Sequence, residues 1–287
     1  MITYAVCILC IAMFVHQVYS DKVYKAALDA FCEFDTQNFF EKIQERQGED
    51  FCQIVMPMMR WAGGLDKDLL VLVEESGAYY SDDELKAGED QFYSALELEF
   101  RRFEIEVPPS ATTQWKFDPR ELNFQKMFTS SFSHADWEHL VFNLIFFFAF
   151  SVTAELLLGS FPFLILLLLS CVSTHYIYWY GAFGFDNSRP TLGLSAVVMT
   201  FMTMMAVIYP HKKVRVFYWL VFFVGIVRVP LLFLVALYVG MDIYSISRIE
   251  DNSNVNYLSH IGGAATGALM AMGYLILSWA REVRHGH

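Results

Sequence analysis

Three clusters of polar residues interrupt otherwise apolar stretches, and each holds groups able to do chemistry. The first runs from Ser133-His134-Ala135-Asp136-Trp137-Glu138-His139 on to Asn143. His139 and Asn143 stand four residues apart, so they share one face of a helix. The second is Gly193-Leu194-Ser195-Ala196, a hydroxyl at the opening of an apolar run. The third is His260-Ile261-Gly262-Gly263, continuing to Gly267. Gly263 and Gly267 form a G-x-x-x-G step, which lets another helix approach backbone to backbone. A serine beside a histidine is the minimal nucleophile–base pair for acyl transfer. Asparagine and histidine donors nearby can stabilise an oxyanion, each worth about 3–4 kcal/mol at the upper end. Such a pair is a dyad, without the orienting carboxylate of a triad. Taken singly, each cluster also has a bland reading as a helix cap, a small packing residue or an inter-helix hydrogen bond. A metal reading would recruit His134, Asp136 or Glu138 beside His139. The two histidines are five apart and do not share a helix face, so no metal is expected.

The elements that must position these groups are membrane helices. The chain has 287 residues, 55% of them apolar and 18% charged, too greasy for an ordinary soluble globule. A bilayer core of ~30 Å needs about 20 apolar residues of helix. The expected spans are residues 1–20, 140–158, 161–180, 192–209, 229–247 and 258–279. Between 214 and 247 the apolar run is too long for one span. Arg228 is costly at mid-bilayer and Pro230 breaks a helix, so Val214–Val227 reads as an interfacial or re-entrant piece. A single tilted span with Arg228 snorkelling is the alternative. Lys212, Lys213 and Arg215 follow the fourth span, and Arg281 and Arg284 follow the sixth, in a tail of residues 281–287. Six spans put both basic groups on one side, which the positive-inside rule makes cytoplasmic together with both termini. Val18-Tyr19-Ser20 resembles a signal-peptidase site, but the run has no basic n-region and is long enough to span. It is therefore expected to be a retained first helix.

Charge marks out a second region. Of 31 acidic and 20 basic residues, 23 and 12 lie in residues 21–133, which therefore carry the whole net charge of −11. No basic patch exists to favour nucleic acid. Residues 21–114 read as an acidic helical insert on the non-cytoplasmic side. Val23, Ala27, Phe31 and Phe34 recur at helical spacing, as do Leu96, Phe100 and Phe103. Ser81-Asp82-Asp83-Glu84 has the form of a capping box ahead of Leu85, and Pro108-Pro109 ends the helical part. Trp115, Phe117, Phe124, Met127 and Phe128 would anchor a connector at the membrane interface. Cys32 and Cys52 are either a disulfide or two buried thiols.

Residues 115–280 resemble the rhomboid intramembrane serine proteases. The resemblance rests on His-x4-His-x3-Asn (His134, His139, Asn143), the G-x-S motif on the fourth span, His-x2-Gly-x3-Gly on the sixth, Glu155 and the Phe128-Thr129 approach. It implies an all-α, six-transmembrane-helix bundle, with the helical extramembrane insert between the first and second spans. It implies Ser195 as nucleophile and His260 as general base. It also implies an oxyanion hole of His139, Asn143 and the Ser195 N–H, a tight turn at Gly193, and close helix packing at Gly263 and Gly267. Met241–Tyr257 would form a flexible cap. Two positions depart from the family pattern. Ala196 replaces the glycine after the nucleophile, and Met199 stands where an aromatic often stacks on the base.

The expected activity is cleavage of transmembrane proteins near the outer membrane surface, without cofactor or metal. Substrates would carry helix-destabilising segments, since a helical carbonyl is already hydrogen-bonded. The alternatives are a rhomboid-like protein that binds membrane clients without cutting them, and a transporter with His139, His260 and Glu155 as a proton path. No inverted repeat supports the transporter. The acidic insert is expected to select substrates or bind a partner outside the membrane. Six spans match the simple bacterial layout, which suggests a bacterial inner membrane with the insert periplasmic.

Overall fold

A computed structural model describes residues 1–35, 51–62, 64, 85–182, 189–220, 223–246 and 256–285. The chain divides into two compact units, one of residues 17–113 and the other of residues 1–16 and 114–287. Helix α1, Ile2–Asp35, contributes to both. No proline or glycine interrupts its 34 residues, so it continues past residue 20, where the first span was expected to end. Ser20 and Asp21 instead serve a later helix. The Ser20 hydroxyl accepts the N–H of Ala111 at 2.9 Å, and Asp21 accepts the Thr112 hydroxyl at 2.6 Å. These acceptors cap the start of α4, below, whose first N–H groups have no intrahelical partner.

The smaller unit is helical. It holds the C-terminal part of α1, α2 (Phe51–Ala62) and α3 (Leu85–Glu106). Phe31, Met56, Met59, Leu96, Phe100 and Phe103 are among its core residues; the spacing expected of the insert holds for Phe31, Leu96, Phe100 and Phe103, whereas Val23 is exposed. Helix α3 begins at Leu85 as anticipated; the capping box before it, and the Phe34 side chain, lie outside the described residues. Cys32 and Cys52 are disulfide-bonded across 20 residues of sequence. Arg60 lies 4.1 Å from the centre of the Phe103 ring and donates to the carbonyls of Phe103 (3.1 Å) and Val107 (2.7 Å). It thereby satisfies carbonyls that the end of α3 would otherwise leave open.

The larger unit contains the polar clusters. After α4 (Ala111–Trp115) come α5 (Phe124–Phe132), α6 (Trp137–Leu158), α7 (Ser160–Ala182), α8 (Ser195–Ile208), α9 (Leu231–Ile246) and α10 (Tyr257–His285). Among the described residues, four helices are long and apolar enough to cross a membrane: Ile2–Glu33, Trp137–Leu158, Ser160–Ala182 and Tyr257–Arg284. Ser195–Ile208 and Leu231–Ile246 are shorter apolar helices. Their polarity is inverted relative to a soluble bundle. On α6, Phe142, Ile145 and Leu156 are exposed, while Asn143, Ser151 and Glu155 are buried. An apolar surround reverses the usual sorting in this way.

Helix α8 occupies the middle, with every residue from Ala196 to Ala206 buried and α6, α7, α9 and α10 packed against it. Its closest neighbour is α10, because Gly263 and Gly267 let the carbonyls of Ala196 and Thr200 touch the α10 backbone where a Cβ would otherwise stand. Glu155, buried near the end of α6, gathers the start of α1. Its carboxylate accepts the N–H groups of Ile2 (2.7 Å) and Thr3 (2.9 Å) and the hydroxyls of Thr3 and Ser160 (2.7 Å each).

One element departs from the all-α expectation. Two strands, β1 (Lys213–Leu220) and β2 (Phe223–Pro230), pair antiparallel. The run is rich in Val, Phe, Tyr and Trp, which suit strands. Pro230 terminates β2, and α9 begins at the next residue. Arg228 therefore lies in a strand opposite Arg215 and is exposed, not within a helix.

Candidate active site

Ser195 is the first residue of α8, and the segment that delivers it is tied down at several points. Phe117 and Thr191 exchange backbone hydrogen bonds of 2.9 and 2.8 Å. The Tyr178 hydroxyl donates to the Arg189 carbonyl at 2.6 Å. The Gly193 N–H donates to the Ser130 carbonyl at 2.9 Å. Gly193 has φ = +129°, and a Cβ there would stand 2.6 Å from His139 Cε1 and 2.7 Å from His139 Nε2. Only glycine meets both demands.

His260 lies in the first turn of α10, with Nε2 2.7 Å from Ser195 Oγ. Its other ring nitrogen, Nδ1, is 3.4 Å from Oδ2 of Asp242 on α9. The sequence reading passed over Asp242, although an acid within the apolar run Leu231–Ile246 was its own signal. Met199 is buried on α8, beside the point where Gly263 approaches. Ala196 is buried as well, and the close approach to α10 runs through its carbonyl oxygen.

The donors lie on α6. Asp136 caps this helix by accepting the His139 N–H at 2.7 Å. His139 Nδ1 accepts the Ala135 N–H at 3.5 Å, a weak bond that assigns the ring proton to Nε2, the atom facing Gly193. Asn143 is buried, and its amide donates to the His139 carbonyl at 2.8 Å, leaving a second N–H for another acceptor. Ser195, at the start of α8, also has a backbone N–H without an intrahelical partner. His134 is buried with its ring 5.2 Å from that of His139. Burial, and then the neighbouring His139, push its imidazole down to about 3. His134 therefore supports His139 as a neutral ring.

His175 was not singled out from the sequence. It is buried on α7, 2.9 Å from the Ser130 hydroxyl and 2.8 Å from the Cys171 carbonyl. It thus braces the residue whose carbonyl holds Gly193. Of the expected cap, Met241–Ile246 is the end of α9, and residues 247–255 lie outside the described residues. Among the described residues, no group of three His, Cys, Asp or Glu could hold a metal ion.

A cavity of about 190 Å³ opens beside the pair. Asn143, Ser195 and His260 supply its polar lining, while Phe146, Met202 and Tyr238 are among its apolar walls. The cavity gathers a hydroxyl, an imidazole, an amide and an apolar recess. That is what attack on a carbonyl requires.

The Rhomboid domain family matches residues 121–277. A curated relative, "RHOMBOID-like protein 12, mitochondrial" of Arabidopsis thaliana, is 32% identical over 175 residues. The aligned part is 56% of this chain and 46% of the relative, so the chain spans about half the length of that protein.

Proposed function

The chain belongs to the rhomboid family, and on that footing we propose that it is an intramembrane serine endopeptidase working through Ser195 and His260. The observation that carries this reading is the 2.7 Å contact between Ser195 Oγ and His260 Nε2 at the edge of the cavity. His260 takes the Ser195 proton as Oγ attacks a substrate carbonyl, then returns it to the leaving amine. The acyl-enzyme is released by water activated at the same nitrogen. The oxyanion formed in each half is held by the Ser195 N–H, the free Asn143 N–H and His139 Nε2–H.

We read six spans, counting α8 and α9. Fourteen residues of α8 rise only about 21 Å, less than the ~30 Å hydrocarbon core. Ser195 then lies below the membrane surface, at the end of irregular backbone that membranes tolerate only around a water-lined cavity. The positive-inside rule puts Lys212, Lys213 and Arg215 in the cytoplasm and the site toward the other face, and residues 21–114 are read as non-cytoplasmic. Substrates are transmembrane segments with helix-destabilising residues, because a carbonyl within a helix is already bonded and shielded. The apolar recess takes one side chain beside the cut bond. The acidic insert orients substrates or binds a partner. The six-span layout alone suggested a bacterial inner membrane; the Arabidopsis relative is by its name mitochondrial, and cell fractionation decides between the two.

The test is cleavage of a model transmembrane substrate in proteoliposomes. Wild type should cut, while Ser195→Ala and His260→Ala should not. Cleavage that survives Ser195→Ala would remove the proposed nucleophile. No cleavage by any form would favour the client-binding alternative.

A further inference from the structure

We infer that Asp242 is a positioning residue that completes a serine–histidine–carboxylate relay, an inference that rests on the protease reading above. His260 has two ring nitrogens. Nε2 faces Ser195 Oγ at 2.7 Å, and Nδ1 faces Asp242 Oδ2 at 3.4 Å. Both partners are largely enclosed, with side chains 18% (His260) and 10% (Asp242) exposed. That Asp242 oxygen makes no hydrogen bond, and the Nδ1 contact is a long ion-pair approach. A buried carboxylate oxygen without a bonded donor is expensive. Among the described residues, its charge-compensating neighbour is the imidazole of the nucleophile's base.

The chemistry follows from which nitrogen holds the proton. Only a lone pair on Nε2 can accept the Ser195 proton, so the neutral ring must carry its hydrogen on Nδ1. A carboxylate accepts from Nδ1–H and cannot donate to it, so Asp242 selects that tautomer. When Oγ attacks the carbonyl, its proton passes to Nε2 and the ring becomes an imidazolium. The Nδ1 proton stays in place and Asp242 remains ionised, balancing the new charge. Among the described residues, the groups facing His260 are the Ser195 hydroxyl from α8, the Asp242 carboxylate from α9 and, electrostatically, His139 from α6. Asp242 is thus the only negative one among them.

The contact also explains the position of the acid on its helix. Asp242 lies late in α9, in an otherwise apolar run, and reaches across to the first turn of α10. A structural polar contact would suit a serine or asparagine there equally well. A carboxylate is required only if the partner becomes positive.

The test compares Asp242→Asn, Asp242→Ala and Asp242→Glu in the full chain, with Ser195→Ala as the blank. Asn keeps the shape but can present its amide N–H to Nδ1, which drives the ring proton to Nε2 and blocks the base. Ala leaves the ring free to take either tautomer. The expected order of kcat is therefore wild type, then Glu, then Ala, with Asn lowest, at a loss of about 10²-fold or more. KM should stay close to wild type in all of them. The rate at which a fluorophosphonate labels Ser195 should fall in the same order. An activity-independent readout is the ¹⁵N spectrum of the His260 ring, which should show Nδ1–H in wild type and Nε2–H in Asp242→Asn. Asn turning over like wild type, or Asn tolerated better than Ala, would overturn the relay, and so would an unchanged tautomer. A wild type that neither cleaves nor labels would overturn the protease reading and the relay together. An active wild type with an indifferent Asp242→Asn would overturn the relay alone.

Discussion

Gly193→Ala probes the geometry at its tightest point. The added methyl would sit 2.6 Å from His139 Cε1 and 2.7 Å from Nε2. Ordinary carbon contacts are about 3.5–4.0 Å, so the ring or the loop must retreat by close to 1 Å. The residue is also held at φ = +129°, where a side chain costs about 1–3 kcal/mol. The loop cannot relax freely, because the Gly193 N–H is bonded to Ser130 and Thr191 is paired to Phe117. His139 is therefore the part that moves. The expected result is a loss of about 2–3 kcal/mol in stability and of about 10²-fold in kcat, as for other 1 Å misplacements of a reacting group. Thermal unfolding in detergent and cleavage in proteoliposomes read the two effects separately. A variant with wild-type melting and wild-type kcat would refute this account of the turn.

Other perturbations test the supports. Glu155→Gln replaces a carboxylate that accepts four hydrogen bonds; it should cost about 2 kcal/mol and expose the start of α1 to protease first. Replacing Cys32 and Cys52 by serine opens a loop closed across 20 residues; it should destabilise the helical unit by about 3 kcal/mol, seen as faster limited proteolysis within residues 17–113. His134 is neutral when folded, with its pKa lowered to about 3, and takes up a proton on unfolding below its ordinary value near 6.5. Stability should thus fall as pH drops from 6.5 toward 3, by up to about 1.4 kcal/mol per unit. His134→Gln should flatten that slope in chemical unfolding curves taken between pH 7 and 5.

The parts legible in the sequence were those with a period or a fixed motif. Hydropathy located α6, α7, α8 and α9 to within a few residues, because a membrane imposes both length and composition. Leu96, Phe100 and Phe103 fell on one buried face as their spacing required. The motif spacing named Ser195 and His260, which the fold brings to 2.7 Å. What escaped depended on contacts distant in sequence. Asp242 is one acid in a run read only for its hydrophobicity, and its partner lies on another helix. His175 gains meaning only through Ser130, 45 residues away. The pairing of β1 with β2 was hidden because a short apolar run does not distinguish strand from membrane segment by composition. The end of α1 was misplaced for a related reason: the charge change at residue 21 marks a change of surroundings, and nothing there breaks the helix.

The central claim is that Ser195 is a nucleophile activated by His260. The most direct measurement is treatment of the membrane-embedded protein with a fluorophosphonate, followed by peptide mass spectrometry. The account predicts one adduct, on Ser195, lost in His260→Ala. An unlabelled Ser195, or labelling indifferent to His260, would contradict it.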